Sequence, residues 1–214
     1  MNTIEIEKRY TVLADDNCCL SCGSALRYST PRKGEVCLDL GCGKGHDVLK
    51  MAEETGSDGR AYGIDITDAM IEKARRTAEK MNLHNAEFIR SELELLPFDD
   101  NTIDLIISNC TINHVGNKEL LWKEIYRILK PGGRFVVSDI YSEKDVPDEY
   151  RHDPVAVSEC WAGAVTKEIY MTTLGRAGFK IVEILEESAP YEKGKIMVSS
   201  FTIAGKKIKS CCCS

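Results

Sequence analysis

Thiols dominate the chemistry this sequence could do. Ten of its 214 residues are cysteines. Cys18, Cys19 and Cys22 cluster near the start, and Cys211, Cys212 and Cys213 form a run at the end. Cys37, Cys42, Cys110 and Cys160 stand alone. A content of about 5% lies below the ~8–10% of small disulfide scaffolds. Residues 1–9 are charged and lack the apolar stretch of a secretory signal, so reduced thiols are expected rather than structural disulfides. Clustered thiols in a reducing compartment suit a soft metal or metalloid. Zinc fits poorly, because Cys19-x-x-Cys22 is half of such a site and no second pair or His-x-x-x-His completes it. Cys37, inside an apolar run, reads as a small buried hydrophobe, and Cys42 as a packing residue. The last four residues outline a prenylation box without its aliphatic middle positions.

A second constellation is the glycine-rich turn Asp39-Leu40-Gly41-Cys42-Gly43-Lys44-Gly45. It has no Gly-Lys-Ser/Thr, which excludes an ATP-cradling P-loop. Its Gly-x-Gly-x-Gly spacing also differs from the Gly-x-Gly-x-x-Gly of nicotinamide and flavin sites. Asp39 at its head would repel a pyrophosphate but can accept from an ammonium. Asp65, at the end of the next apolar run, is placed to accept both hydroxyls of a ribose. Glu92 and Glu94 follow the third such run, where an adenine edge would lie. A ligand with a ribose, an adenine, an amino-acid ammonium and no phosphate is S-adenosylmethionine.

These residues need a scaffold, and the chain alternates strand and helix patterns from about residue 35. Short apolar runs at residues 36–40, 61–65, 87–89, 103–108 and 134–140 read as strands, as do 180–186 and 197–205. Helices are expected at 46–55, from a Thr67 cap through Met70, Ile71, Ala74, Ala78 and Met81, and at 117–129, 157–165 and 166–177. The pattern predicts an α/β fold, a doubly wound, mostly parallel sheet of seven strands with helices on both faces. The expected division is an arm at 1–34 with its cysteine cluster, a catalytic domain at 35–206 and a cysteine-rich tail at 207–214. Net charge −6 argues against nucleic acid as a partner. No stretch approaches the roughly 18–20 apolar residues of a membrane span. A cytoplasmic monomer acting on a small molecule is expected.

Asp39-Leu-Gly-Cys-Gly-Lys-Gly45, Gly63-Ile-Asp65, Leu96-Pro-Phe98 with Asp104 following, and Leu129-Lys-Pro-Gly-Gly133 resemble the class I S-adenosylmethionine-dependent methyltransferases. The resemblance implies an antiparallel last strand. It places the methionine part of the cofactor at Gly41 and Gly43, the ribose at Asp65 and the adenine near Ile66, Glu92 and Leu93. Asp39, Cys42, Met70 and Asn109 complete the implied cofactor set. Ser108-Asn-Cys-Thr-Ile-Asn113, Asp139 with Ile140-Tyr141, and Glu159-Cys-Trp-Ala-Gly-Ala164 are similar to segments of arsenite methyltransferases, as is the arm from Tyr10 to Cys18-Cys19. That resemblance implies that Cys110 and Cys160 bind trivalent arsenic, with Cys18 or Cys19 as third ligand and Cys22 as a further candidate. Larger members carry an additional C-terminal region, and this chain ends soon after its last strand. The terminal cysteines either capture arsenic and pass it inward or form a thiol-rich end with no catalytic part.

The expected activity is methyl transfer to arsenite or its thiol adducts, with a thiol reductant such as glutathione or thioredoxin. Two other readings stand beside it. His114, four residues past Cys110, could serve as base toward an organic small molecule. Alternatively, the chain is a non-catalytic, thiol-rich metalloid-binding protein. Asp139 is expected to orient a loop, and Trp161 to pack against the cofactor-side helices.

Overall fold

The computed structural model describes residues 10–11 and 23–208, and Cys18, Cys19, Cys22 and the three terminal cysteines lie outside them. After a short α1 (Ala25–Ser29) come β1 (Val36–Leu40), α2 (His46–Thr55), β2 (Arg60–Asp65), α3 (Asp68–Lys80), β3 (Ala86–Arg90) and β4 (Ile103–Asn109). A 3-10 turn (Ile112–His114) leads into α4 (Lys118–Ile128) and β5 (Leu129–Ser142). The chain continues through α5 (Asp148–Arg151), α6 (Pro154–Ser158), α7 (Lys167–Ala177), β6 (Val182–Glu187), β7 (Tyr191–Lys193) and β8 (Ile196–Lys206).

The main strand order is β3-β2-β1-β4-β5-β8-β6. The first five strands are parallel, and β8 lies antiparallel between β5 and β6. The order reverses between β1 and β4, so their carboxyl ends open the crevice in which such sheets bind ligands. The two-residue period of the strands feeds two cores. Leu38, Leu40, Ile106, Phe135 and Val137 face α4 and α7. Cys37, Ala61, Leu105, Ile107 and Val136 face α2 and α3. Cys37 is thus a core residue, and burial pushes its thiol up to about 12.

Trp122 centres the first core, with ring centroids 5.0 Å from Phe135 and 6.0 Å from both Tyr170 and Phe179. Trp122→Ala is expected to cost about 3–5 kcal/mol in urea unfolding, the range for deleting a buried aromatic.

The structure corrects several sequence expectations. Among the described residues there are eight strands rather than seven, because β7 folds back on β8 through the tight turn at Gly194 (φ 58°). The helix expected at 157–165 is only the end of α6, which stops at Ser158, and α5 was not expected. Leu129 leaves α4 in an extended conformation (ψ 134°), so β5 starts before Pro131-Gly132-Gly133. Met81 is 44% exposed beyond α3, and Thr67 stands at the cap position without a side-chain cap bond. Trp161 packs on Tyr150 in a small third core with Ile140, Val146 and Val198, away from α2 and α3.

Lys206 pairs with Arg134, whereas Phe201 pairs with Asp139. The chain therefore leaves β8 at the opposite edge of the sheet, about 17 Å of strand from the level of Asp139. Among the described residues no helix is long and apolar enough to cross a membrane.

Candidate active site

The turn after β1 is fixed by the neighbouring strand, since the Gly41 and Cys42 amides both donate to the Ile64 carbonyl at 2.8 and 2.9 Å. Gly41 has φ 74°, and a Cβ there would lie 2.1 Å from Thr111 Oγ1. Only glycine allows both the conformation and the approach of the β4 loop. Asp65, at the tip of β2, accepts from Gly43 N and Thr67 N, both at 2.9 Å. A carboxylate has about four lone-pair sites, so these two bonds leave it acceptor capacity toward the cavity it lines. Burial raises its pKa, and the Thr67 and Gly43 amides, with the Thr67 hydroxyl and the Ile66 amide beside them, moderate the rise.

Asp39 lies beneath this turn and is 4% exposed. Desolvation first, then the charges of Asp47 and Asp65, push its carboxyl well above the usual range. Among the described residues no hydrogen bond or ion pair reaches that carboxyl. An unpaired buried acid is unfavourable until a cation or donor arrives.

Gly41, Gly43, Asp65, Ile66, Glu92, Leu93, Asn109, Cys110 and Cys160 line one cavity at the carboxyl edge. Most of the cofactor set implied by sequence therefore converges. Two members do not. Met70 is fully buried on α3, and the Cys42 thiol turns into the core toward Gly63, which has no Cβ to block it. Burial accordingly raises the Cys42 thiol well above its ordinary range. Three residues with roles at this edge were not expected. Thr111 packs on Gly41, Asp47 accepts from Asn109 Nδ2 at 3.0 Å, and Tyr10 lines the cavity with its hydroxyl 3.2 Å from His114 Nε2.

The isolated cysteines Cys110 and Cys160 meet here, 50 residues apart in sequence and within hydrogen-bond reach of one another. Both adopt the left-handed conformation, with φ 54° and 63°. Such a backbone costs a non-glycine residue about 1–3 kcal/mol and concentrates at functional sites. Cys110 follows the last residue of β4, and its amide donates to Ser138 O at 2.8 Å. Cys160 follows the Glu159 C-cap of α6. Its amide donates to Val157 O, and the next amide, of Trp161, donates to Ala156 O, both at 3.1 Å. That is a Schellman ending with cysteine where glycine is usual.

The neighbours favour thiolate. The Cys160 thiol is held below its ordinary range by hydrogen bonding with Cys110 first, and further by His114 and Tyr10. His114 lies beside these thiols, with its Nε2 3.2 Å from the Tyr10 hydroxyl and its Nδ1 buried without a hydrogen-bond partner among the described residues. Behind them Asp139 is buried, and desolvation lifts its carboxyl to about 7. The two cysteines also line a second cavity with Ser138, Asp139, Tyr191 and Lys193, so the pair is the boundary shared by both spaces. Cys18 and Cys19 lie outside the described residues.

A methyltransferase-domain family profile matches residues 31–178. The chain is 37% identical over 182 residues to an arsenite methyltransferase of Halobacterium salinarum, covering 85% of this chain and 46% of that protein. A demethylmenaquinone methyltransferase of Listeria welshimeri is 34% identical over 116 residues, 54% of this chain and 49% of that protein. The chain spans about half the length of these curated relatives. The crystal structure of an arsenic(III) S-adenosylmethionine methyltransferase from Chlamydomonas reinhardtii matches with a TM-score of 0.75 at 28% identity, covering 94% of this chain and 73% of that one. By profile, sequence and fold, the chain belongs to the class I S-adenosylmethionine-dependent methyltransferases.

Proposed function

We propose that this protein transfers a methyl group from S-adenosylmethionine to trivalent arsenic bound by Cys110 and Cys160. The observation that carries the reading is the pair of left-handed cysteines meeting at the floor of the cavity. The residues present fit the cofactor. The Asp39 carboxyl offers an uncompensated negative field to an amino-acid ammonium, and Asp65 faces the cavity as an acceptor for ribose hydroxyls. Ile66, Glu92 and Leu93 would flank the adenine, and Asn109 would bound the methionine end beside Gly41 and Gly43. The bound cofactor supplies an electrophilic methyl on a sulfonium.

Each thiol displaces one hydroxide of arsenous acid as water, so the bonds formed are As–S and the thiol protons leave with oxygen. A third thiolate, from Cys18 or Cys19 of the arm, would complete a pyramid with the arsenic lone pair on its open side. That lone pair forms the As–C bond as the S–CH3 bond breaks. S-adenosylhomocysteine would leave, arsenic would then be formally oxidised by two electrons, and two thiols of a small or protein reductant such as glutathione or thioredoxin, oxidised to a disulfide, would return it to the trivalent state. No general base is required, because the acceptor brings its own electron pair. The chain's contribution is to hold arsenic at the boundary of the two cavities and to exclude water there.

The test is incubation of reduced protein with S-adenosylmethionine, arsenite and excess thiol, with a hydroquinone acceptor in parallel and product identification by mass spectrometry. Methylated arsenic is the expected product. A methylated quinol without methylated arsenic would instead assign His114 the role of base toward an organic acceptor.

A further inference from the structure

We infer that Asn113 is a positioning residue whose side-chain amide sets the two arsenic-binding cysteines at their working distance. The inference rests on the reading of Cys110 and Cys160 as the acceptor's ligands. Cys110 and Cys160 leave different elements, β4 and α6, and nothing covalent joins their ends. Asn113 does so noncovalently. It lies three residues past Cys110 in the 3-10 turn and is 1% exposed. Its Nδ2, with two hydrogens, donates among three acceptors, one hydrogen being shared: Asp139 Oδ1 at 2.9 Å, Ile140 O at 2.7 Å and Cys160 O at 3.0 Å. One amide thus ties the segment carrying Cys110 to the end of β5 and to the main chain of Cys160.

The other end of the amide shows what it is there for. Asn113 Oδ1 is buried with no hydrogen-bond partner among the described residues. A flipped amide would set that oxygen against three acceptor oxygens, so the orientation is determined by the donors. Leaving a buried acceptor unsatisfied is costly, and the site tolerates it to keep the amino group among three oxygens. The backbone confirms how closely the segments meet: a Cβ on Gly163 would lie 1.9 Å from Asn113 O. Gly163, three residues past Cys160, is therefore the matching surface that lets the Cys160 loop close on the Cys110 turn.

The test reads thiol capture without turnover. In the full-length chain carrying Cys18, Cys19, Cys22, Cys211, Cys212 and Cys213 as serine, phenylarsine oxide is titrated in competition with a soluble dithiol. Affinity for S-adenosylhomocysteine is measured on the same samples. Asn113→Ala is expected to weaken capture about tenfold or more, with cofactor affinity unchanged within about twofold. Gly163→Ala, which alters no polar group, should do the same by pushing Asn113 aside. Wild-type capture in both Asn113→Ala and Gly163→Ala would overturn the inference. So would a parallel loss of capture and cofactor affinity, which would make Asn113 a fold residue only. Failure of the wild type to methylate arsenic would overturn the proposed function while leaving this comparison intact.

Discussion

Cys110→Ser or Cys160→Ser should each lower arsenic methylation by about 10²-fold or more, equivalent to about 2.7 kcal/mol of transition-state stabilisation. S-adenosylhomocysteine affinity should be nearly unchanged, because the cofactor is recognised by the turn after β1 and by Asp65 rather than by sulfur. A hydroxyl is a hard donor with a high pKa and does not replace a thiolate toward trivalent arsenic. The backbone makes the prediction sharper. Cys160 sits at the left-handed position of a Schellman ending, with φ 63°. Cys160→Gly relieves that strain and adds only about 0.5–1 kcal/mol of unfolded-state entropy. It should therefore be about as stable as the wild type, or more so, in urea unfolding, yet as inactive as the serine variant. A glycine variant that is markedly less stable would mean the thiol packs for stability, and the strain would lose its functional reading.

Asp39→Asn should separate binding from stability in the opposite sense. The wild-type carboxyl is buried, unpaired among the described residues and raised well above 3.8. A group raised in the folded state binds more protons there than in the unfolded chain, so stability falls as pH rises from about 4 through the folded value. Asp65 and Asp47 are raised as well and act with the same sign. The asparagine variant should show a shallower decline across that window. Its cofactor-free melting temperature at neutral to alkaline pH should rise by about 2–4 °C, the shift of roughly 1 kcal/mol for a chain of this size. Affinity for S-adenosylmethionine should fall about tenfold, because the ammonium loses a charge in low dielectric. Calorimetric melts over a pH series and isothermal titration check both halves. Unchanged cofactor affinity would remove Asp39 from the site.

Much of the scaffold is legible from residues alone because parallel strands buried on both faces are near-continuous apolar runs, as at Val36–Leu40 and Ile103–Asn109. The cofactor edge was legible for a related reason: glycine spacing and the acids at strand ends are local signals. What the sequence does not display is tertiary. Three residues of β7 are too few to show a period, and Gly194 alone does not announce a hairpin. Pro131-Gly132-Gly133 ends a helix in any local reading, whereas here β5 begins before it and runs through it, Leu129 pairing across to Ile103. The left-handed cysteines look like any others in sequence, since the conformation is imposed by Ser138 O and by the ending of α6. Asn113 stands in the string beside Cys110, but its acceptors come from residues 139, 140 and 160. Cys42 and Met70 differ the other way: each lies in a segment next to the cavity, while each side chain turns into the core.

The most direct test is arsenic X-ray absorption on the reduced protein loaded with one equivalent of arsenite and S-adenosylhomocysteine, with Cys160→Ser alongside. The wild type should show an all-sulfur first shell, and the variant loss of one sulfur for oxygen or loss of bound arsenic. An identical sulfur shell in both proteins would place arsenic on other cysteines and contradict the assignment of Cys110 and Cys160.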